Sequence, residues 1–93
     1  MMDARLYTFI LEFHGGTYIS QTNATNLTGA INAWIAVHSE DDLATRKLSR
    51  SKLHLMVEEN IPIALDGATG VWCITETIDG HFALLNIVDT CPV

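Results

Sequence analysis

The chain has 93 residues, of which 48% are hydrophobic and 17% are charged, and its formal net charge is −6. This length predicts a single domain over residues 1–93, and the negative charge disfavours general binding to phosphate backbones. The sequence has no apolar run of membrane-spanning length and no signal-peptide pattern, so we expect a cytoplasmic protein without a membrane span.

The N-terminal stretch predicts a β-hairpin over residues 6–22. Two β-prone runs flank Gly15-Gly16, a pair that suits a two-residue turn because both turn positions require positive φ. A turn at these two residues places Phe13 opposite Tyr18. Alternation along the strands then predicts a core face made of large apolar side chains: Tyr7, Phe9, Leu11, Phe13 and Tyr18.

The middle of the chain predicts two helices, over residues 26–38 and 51–60. The first begins after a cap at Thr25 or Asn26, and its apolar residues recur at helical spacing. The second ends by residue 60 because Pro62 holds the residue before it in extended geometry. The apolar positions of the first helix are Leu27, Ala30, Ile31, Trp34 and Ile35.

Three connecting segments have weaker patterns. Residues 39–42 form an acidic, solvated connection whose serine or aspartates can cap the second helix. Residues 43–52 follow no clear helical or strand periodicity until the second helix begins. Residues 61–65 fit a short edge strand or an extended linker, and turn-forming residues follow them.

A second hairpin is predicted over residues 71–88, because Asp79-Gly80 is a strong signal for a type I′ turn. Its register places Trp72 opposite Ile87, and one face is the more apolar: Trp72, Ile74, Ile78, Ala83, Leu85 and Ile87. The opposite face still contains several apolar residues: Val71, Cys73, Thr75, Thr77, Phe82, Leu84, Asn86 and Val88. Such a partly apolar outer face predicts a surface that a partner covers.

Together these elements predict an α+β fold, a two-layer domain in which an antiparallel sheet from two hairpins packs against two helices. The two cysteines are Cys73 and Cys91, and the register places Cys73 opposite Asn86. Five residues of extended chain separate Asn86 from Cys91, which exceeds the span of a disulfide, so we expect no bridge within the chain.

The histidines beside the two hairpin turns, His14 and His81, provide one candidate site. If both turns lie at the same end of the sheet, the two imidazoles approach each other. With a nearby carboxylate they would form a small-ligand or metal site, best placed between subunits. The alternative is that both are exposed turn residues, because no metal-ligand spacing such as HxH or HExxH is present.

Charged residues cluster in two short stretches. One cluster is basic and suggests binding of RNA or another anion, or docking to an acidic partner: Arg46, Lys47, Arg50 and Lys52. The alternative is a solvated helix face or loop that the preceding acidic run balances. The acidic run, Glu40, Asp41 and Asp42, fits a cation or a basic partner, or else a solvated loop with a helix N-cap. It lacks the alternating oxygen ligands and the glycine of a calcium loop. No aromatic residue is interleaved among the basic ones, so nucleic-acid stacking is disfavoured.

The N-terminal third resembles the start of HicB-type antitoxins. The resemblance is carried by the run from Phe13 to Gln21 and by the helix that follows, from Asn26 to Ala33. The DLPG-like segment of that family is absent, and so is its DNA-binding C-terminal module, so no functional residue is carried over. The resemblance implies a role in protein binding.

These patterns predict a non-enzymatic bacterial protein that acts by protein–protein contact, as a homodimer or as an immunity- or antitoxin-like partner. No nucleophile, phosphate-binding or dinucleotide motif is present, and no cofactor is expected. The expected partner surface combines Phe82 and Leu84 with the acidic run at residues 40–42. The alternatives are the histidine site and the anion site.

Overall fold

The computed structural model describes residues 4–65, 67 and 69–90. These residues form five strands and three helices: β1 (Arg5–Phe13), β2 (Gly16–Ala24), α1 (Leu27–Val37), α2 (Glu40–Thr45), α3 (Arg50–Glu59), β3 (Ile63–Ala64), β4 (Val71–Ile78) and β5 (His81–Asp89). The strands form one antiparallel sheet in the order β2-β1-β5-β4-β3. The predicted α+β fold class is confirmed. None of the helices in these residues is long and apolar enough to cross a membrane.

The two hairpins join through their inner strands, β1 and β5. The pairing runs from Tyr7 opposite Asp89 to Phe13 opposite Ala83. Because these two strands are antiparallel and each borders a hairpin turn, both turns lie at the same end of the sheet. The join therefore sets the relative position of residues that lie far apart in the sequence.

The first hairpin forms as predicted, but its turn is one residue earlier than expected. Positive φ angles occur at His14 (54°) and Gly15 (81°), so these two residues form the turn. Phe13 consequently lies opposite Gly16, and Leu11 lies opposite Tyr18, which corrects the predicted pairing of Phe13 with Tyr18. The partner of each residue moves by two positions, so the core and outer faces keep the predicted residues.

Gly16 lies outside the turn and has a different role from Gly15. A Cβ atom at this position would overlap the ring and hydroxyl of Tyr18, which folds back along β2 over the glycine. The Arg46 guanidinium covers the same ring, 4.5 Å from its centroid. Glycine at position 16 therefore makes room for an aromatic side chain.

The second hairpin has the predicted register, with Trp72 opposite Ile87 and Ile78 opposite His81. Asp79 and Gly80 have φ angles of 52° and 81°, as a type I′ turn requires. Cys73 lies opposite Asn86 as expected, and Cys91 falls outside the described residues.

Two helices lie close to their predicted positions. The Asn26 side chain accepts a hydrogen bond from the Gly29 amide at 2.8 Å, so Asn26 is the cap of α1. α3 begins at residue 50, one residue before the prediction, and Ser49 caps it. At its end, the Asn60 side chain bonds both the Met56 carbonyl (2.8 Å) and the Glu76 carboxylate (2.9 Å), which ties α3 to β4.

An additional helix, α2, occupies residues that were expected to be a solvated connection. Ser39 caps this helix, by accepting from the Asp42 amide at 3.1 Å, rather than capping α3. The three acidic residues form its first turn, where the partial positive charge of the helix N-terminus stabilises them. Leu43 is its buried residue and joins α2 to the core.

The core lies between one face of the sheet and the helices. Strand β1 contributes three aromatic residues to the core, Tyr7, Phe9 and Phe13. Trp34 of α1 stacks on Phe9, with ring centroids 5.3 Å apart and an interplanar angle of 5°. Leu53 and Met56 of α3 complete it, and α3 packs against β4. All described helices therefore cover the same face, and the opposite face of the sheet has no covering layer in the described chain.

Candidate functional site

The uncovered side of the sheet is an extended surface that the fold leaves open in the described chain. We call it the outer face, and it consists of the strand residues whose side chains alternate away from the core. They are Leu6, Thr8, Ile10, Glu12, Thr17, Ile19, Gln21, Asn23, Ile63, Val71, Cys73, Thr75, Thr77, Phe82, Leu84, Asn86 and Val88.

The outer face is almost uncharged in a chain whose net charge is −6. Glu12 is its one charged residue among the described strands. Three of its large apolar side chains are mostly exposed: Ile19 (67%), Ile63 (65%) and Phe82 (63%). Most charged residues of the described chain lie on the helices and loops, and the outer face presents mainly neutral apolar, hydroxyl and amide side chains.

One row of residues crosses the middle of the outer face. The strand registers align one residue from each strand at this level: Ile19, Ile10, Asn86, Cys73 and Ile63. Asn86 is at the centre of the row, on the inner strand β5. A bulky charged side chain at this position would obstruct anything that packs flat on the face.

The two parts of the predicted partner surface do not come together. Phe82 and Leu84 lie on the outer face, whereas Glu40, Asp41 and Asp42 begin α2 on the helical side of the sheet. Glu40 is instead engaged within the chain, because its carboxylate accepts from the Arg50 amide at 3.1 Å. The predicted partner surface also left out Ile10, Ile19 and Ile63. Ile10 and Ile19 alternate with the predicted core residues of the first hairpin, so strand alternation alone places both on its other face.

His14 and His81 lie next to each other, because both hairpin turns are at the same end of the sheet, the condition on which this candidate site depended. Their ring centroids are 3.9 Å apart and the rings are inclined by 37°. Phe13 lies beneath the pair, with its ring 5.6 Å from His14 and 6.3 Å from His81 in edge-on geometry. Both histidines are exposed, so the imidazoles are open to solvent.

The histidine pair is not a complete metal site within one chain. No group of three or more histidine, cysteine or acidic side chains suited to a metal ion occurs among the described residues. A stable zinc site has three or four protein ligands. Two imidazoles can supply two of these, and the others would have to come from a second molecule or from water.

The four basic residues do not converge on one point. Arg46 covers the Tyr18 ring, and the Arg50 guanidinium donates to the carbonyl of His38 at 2.6 Å. Lys52 forms an ion pair with Asp79 in the second hairpin turn. Lys47 is exposed, with a φ angle of 61°. These contacts leave no shared pocket in which the four charges surround an anion.

His38 marks the junction of the three helices. Burial lowers the pKa of this imidazole below its ordinary value, and the Arg46 and Arg50 charges act in the same direction, whereas Asp42 raises it. The ring meets Trp34 edge-on at a centroid distance of 5.7 Å. The folded protein therefore favours the neutral form of His38.

Glu76 is a second group whose pKa departs from its ordinary value. The hydrogen bond from Asn60 lowers the pKa of this carboxyl, and the Thr77 amide, which donates at 2.8 Å, lowers it further. Both donors hold the ionised form of the side chain in place. This arrangement explains the attachment of α3 to the sheet and indicates a structural role for Glu76.

Comparison with known proteins adds no functional information. A scan against protein-family models finds no match, and searches of curated proteins and of solved structures find none either. The resemblance to HicB-type antitoxins therefore stays a resemblance of sequence layout.

Proposed function

We propose that this chain acts by protein–protein contact, and that the outer face is its recognition surface. The observation that carries the proposal is a five-stranded sheet covered by helices on one side only, with a nearly uncharged second side. Depletion of charge together with exposed aromatic and aliphatic side chains is typical of the centre of a protein interface. The preferred partner is a protein with a matching neutral, apolar surface.

The electrostatics of the molecule support this choice. An acidic chain repels other acidic surfaces at long range, but the outer face itself contributes only Glu12 to that repulsion. Its hydroxyl and amide side chains can bond to a partner without the desolvation cost of burying ions. Exposed Phe82, flanked by Leu84, provides an anchor of the kind that dominates binding energy.

Site-specific photo-crosslinking in cells tests the proposal. A photoreactive phenylalanine analogue at position 82 is expected to produce one discrete protein adduct, because Phe82 lies within the proposed interface. The same analogue at Val37 is the control, since Val37 is similarly exposed (60%) but lies at the end of α1 on the helical side.

The variant Asn86→Lys sharpens this experiment. Lysine at the centre of the outer face is expected to abolish the adduct at position 82, because it places a charge within the contact. Adducts of equal yield at positions 82 and 37, or an adduct at 82 that persists in Asn86→Lys, would contradict the proposal.

A second candidate function is a metal or small-ligand site at a subunit interface that uses His14 and His81. The close approach of their rings, with centroids 3.9 Å apart, supports it, because two imidazoles already lie together at an exposed end of the sheet.

Zinc titration followed by NMR of the histidine rings tests this candidate. Selective shifts of the His14 and His81 signals at micromolar zinc are expected, and the variant His81→Gln should lose them. Imidazole signals of all four histidines that are unaffected by zinc would rule the candidate out.

A further inference from the structure

The strand β2 forms one edge of the sheet, and its backbone is available for pairing. Phe13 and Gly16 close the two-residue turn, and such a closing pair is hydrogen-bonded. Alternate residues of β2 therefore bond to β1, and those between them direct their N–H and C=O groups away from the sheet. The outward residues are Thr17, Ile19, Gln21 and Asn23, and all four are exposed.

Nothing in β2 protects this edge. Natural edge strands are blocked by charged residues, proline, bulges or very short length. β2 has nine residues, contains no charged residue or proline, and keeps a continuous register from Arg5 opposite Ala24 to Phe13 opposite Gly16. None of the described residues makes a hydrogen bond to the outward backbone groups. Helix α1 lies on the core side of β2, where the Thr22 hydroxyl donates to the Ala30 carbonyl at 3.3 Å, and it leaves the four outward residues exposed.

The other edge of the sheet is protected. β3 has only two residues, and Pro62 precedes it immediately. A proline supplies no backbone N–H, so this edge offers little to a pairing strand. An interaction between β2 of one molecule and β3 of another, which would extend into a fibre, is therefore disfavoured.

We propose that β2 pairs antiparallel with β2 of a second copy of this chain, about a two-fold axis that passes through Ser20. Ser20 is the midpoint of Gly16–Ala24, so this axis aligns all nine residues of both strands. Ile19 then lies opposite Gln21 of the second copy, and Thr17 lies opposite Asn23. The pairing creates about eight new backbone hydrogen bonds and a continuous ten-stranded sheet.

The second copy is the occupant that the edge itself fits, because the same four outward residues on both strands pair with one another about the axis. Two molecules of net charge −6 repel each other over most of their surfaces, but β2 brings no charge of its own to the contact. Because a two-fold axis uses the same edge on both molecules, the assembly closes as a dimer. The edge that remains in the described chain consists of the two-residue β3 and the part of β4 beyond it, where the Thr77 amide donates to the Glu76 carboxylate. This inference concerns the edge of the sheet and goes beyond the proposed function, which uses the outer face.

The first test is the mass of the full-length protein in solution, compared among matched variants. Sedimentation of the natural chain is expected to give twice the 10.2 kDa monomer mass at tens of micromolar protein. Gln21→Pro removes one outward N–H and should give monomers, because Gln21 makes no backbone bond to β1. Gln21→Ala is its control, since it loses the same side chain but keeps the amide, and it should stay dimeric.

Asn86→Lys separates edge pairing from face-to-face packing. This variant should stay dimeric, because Asn86 lies on the inner strand β5, away from the edge. A dimer that survives Gln21→Pro and is lost in Asn86→Lys would overturn the inference while supporting the outer face as a contact surface. A monomer at these concentrations would overturn the inference and leave the crosslinking test of the outer face intact.

Hydrogen exchange of the natural chain provides a measurement that does not depend on a variant folding. The amides of Thr17, Ile19, Gln21 and Asn23 should become protected as protein concentration rises, because pairing occupies them. Unprotected amides at a concentration where the protein is dimeric would exclude pairing through β2.

A cysteine crosslink tests the register. In a chain with Cys73 and Cys91 replaced by serine, Ser20→Cys should form a disulfide-linked dimer, because the two Cα atoms lie about 4.5 Å apart across the axis. Thr17→Cys is the control, since its copies are about 20 Å apart in this register. Crosslinking of the control but not of Ser20→Cys would contradict the two-fold axis at Ser20.

Discussion

At the scale of single residues, the two glycines of the first hairpin have different physical roles. Gly15 adopts a φ of 81°, which side chains disfavour, whereas Gly16 leaves space for the Tyr18 ring. His14 takes the other positive-φ position of the turn, just as Asp79 does in the second hairpin. The Gly-Gly pair suggests a turn at both glycines. The structure instead places Gly16 in β2, where the absence of a side chain makes room for the Tyr18 ring.

This distinction predicts the effect of Gly16→Ala. The new methyl group displaces the Tyr18 ring from its position beneath Arg46, so the free energy of unfolding should fall by about 1 kcal/mol through lost cation–π and packing contacts. Urea unfolding measures the change.

The control for this prediction is the same substitution in a Tyr18→Ala background. There the methyl group meets no ring, so Gly16→Ala should have little effect on unfolding. An equal loss of stability in both backgrounds would show that the glycine is needed for its backbone conformation instead.

At the scale of secondary-structure elements, the junction of the three helices is where we expect stability to depend most clearly on pH. His38 ends α1, and its carbonyl accepts from Arg50, the first residue of α3. The ring is partly buried and faces the cations Arg46 and Arg50 and the carboxylate of Asp42. Protonation of His38 therefore places a positive charge where burial and two guanidinium groups oppose it.

The lowered pKa of His38 predicts a loss of stability in acid. The unfolded chain binds the proton near its ordinary pKa of about 6.5, before the folded chain does. The free energy of unfolding should therefore be highest above this pH, decline as the pH falls toward the lowered folded pKa, and level off below it. Thermal unfolding between pH 7.5 and 5 measures this decline.

The variant His38→Gln removes this titration and should show a smaller decline over the same pH range. Glu76 does not interfere with the comparison, because its pKa is lowered from 4.5 and its contribution is lost only in stronger acid. Identical pH profiles for the natural chain and His38→Gln would refute the assignment.

At the scale of the whole molecule, the helices cover one face of the sheet and leave the outer face and the β2 edge open. A chain of this length has few elements with which to cover a five-stranded sheet on both sides. These two open surfaces differ in chemistry, because the outer face presents neutral side chains and the β2 edge presents backbone N–H and C=O groups. Edge pairing and face recognition are therefore compatible, because a ten-stranded dimer would double the area of the outer face.

The local structure of the hairpins and of α1 was predictable from the sequence. Alternation of apolar residues assigned the faces of β1, β4 and β5, and Asp79-Gly80 set the register of the second hairpin correctly, because these signals act between near neighbours. The N-terminal cap of α1 at Asn26 was likewise predictable. α2 was missed because its six residues include a single buried one, Leu43, and its acidic first turn also fits a solvated loop.

The sequence by itself therefore determined two hairpins, their core faces and a helical middle. Only the tertiary structure decided that β1 and β5 are neighbours, since pairing between distant segments depends on burial of the shared core and has no local signature. That one contact brings His14 against His81 and leaves β2 at an edge of the sheet. It also places Phe82 and Leu84 on the opposite side from the acidic turn of α2, because side-chain alternation allows a strand residue to face one layer only.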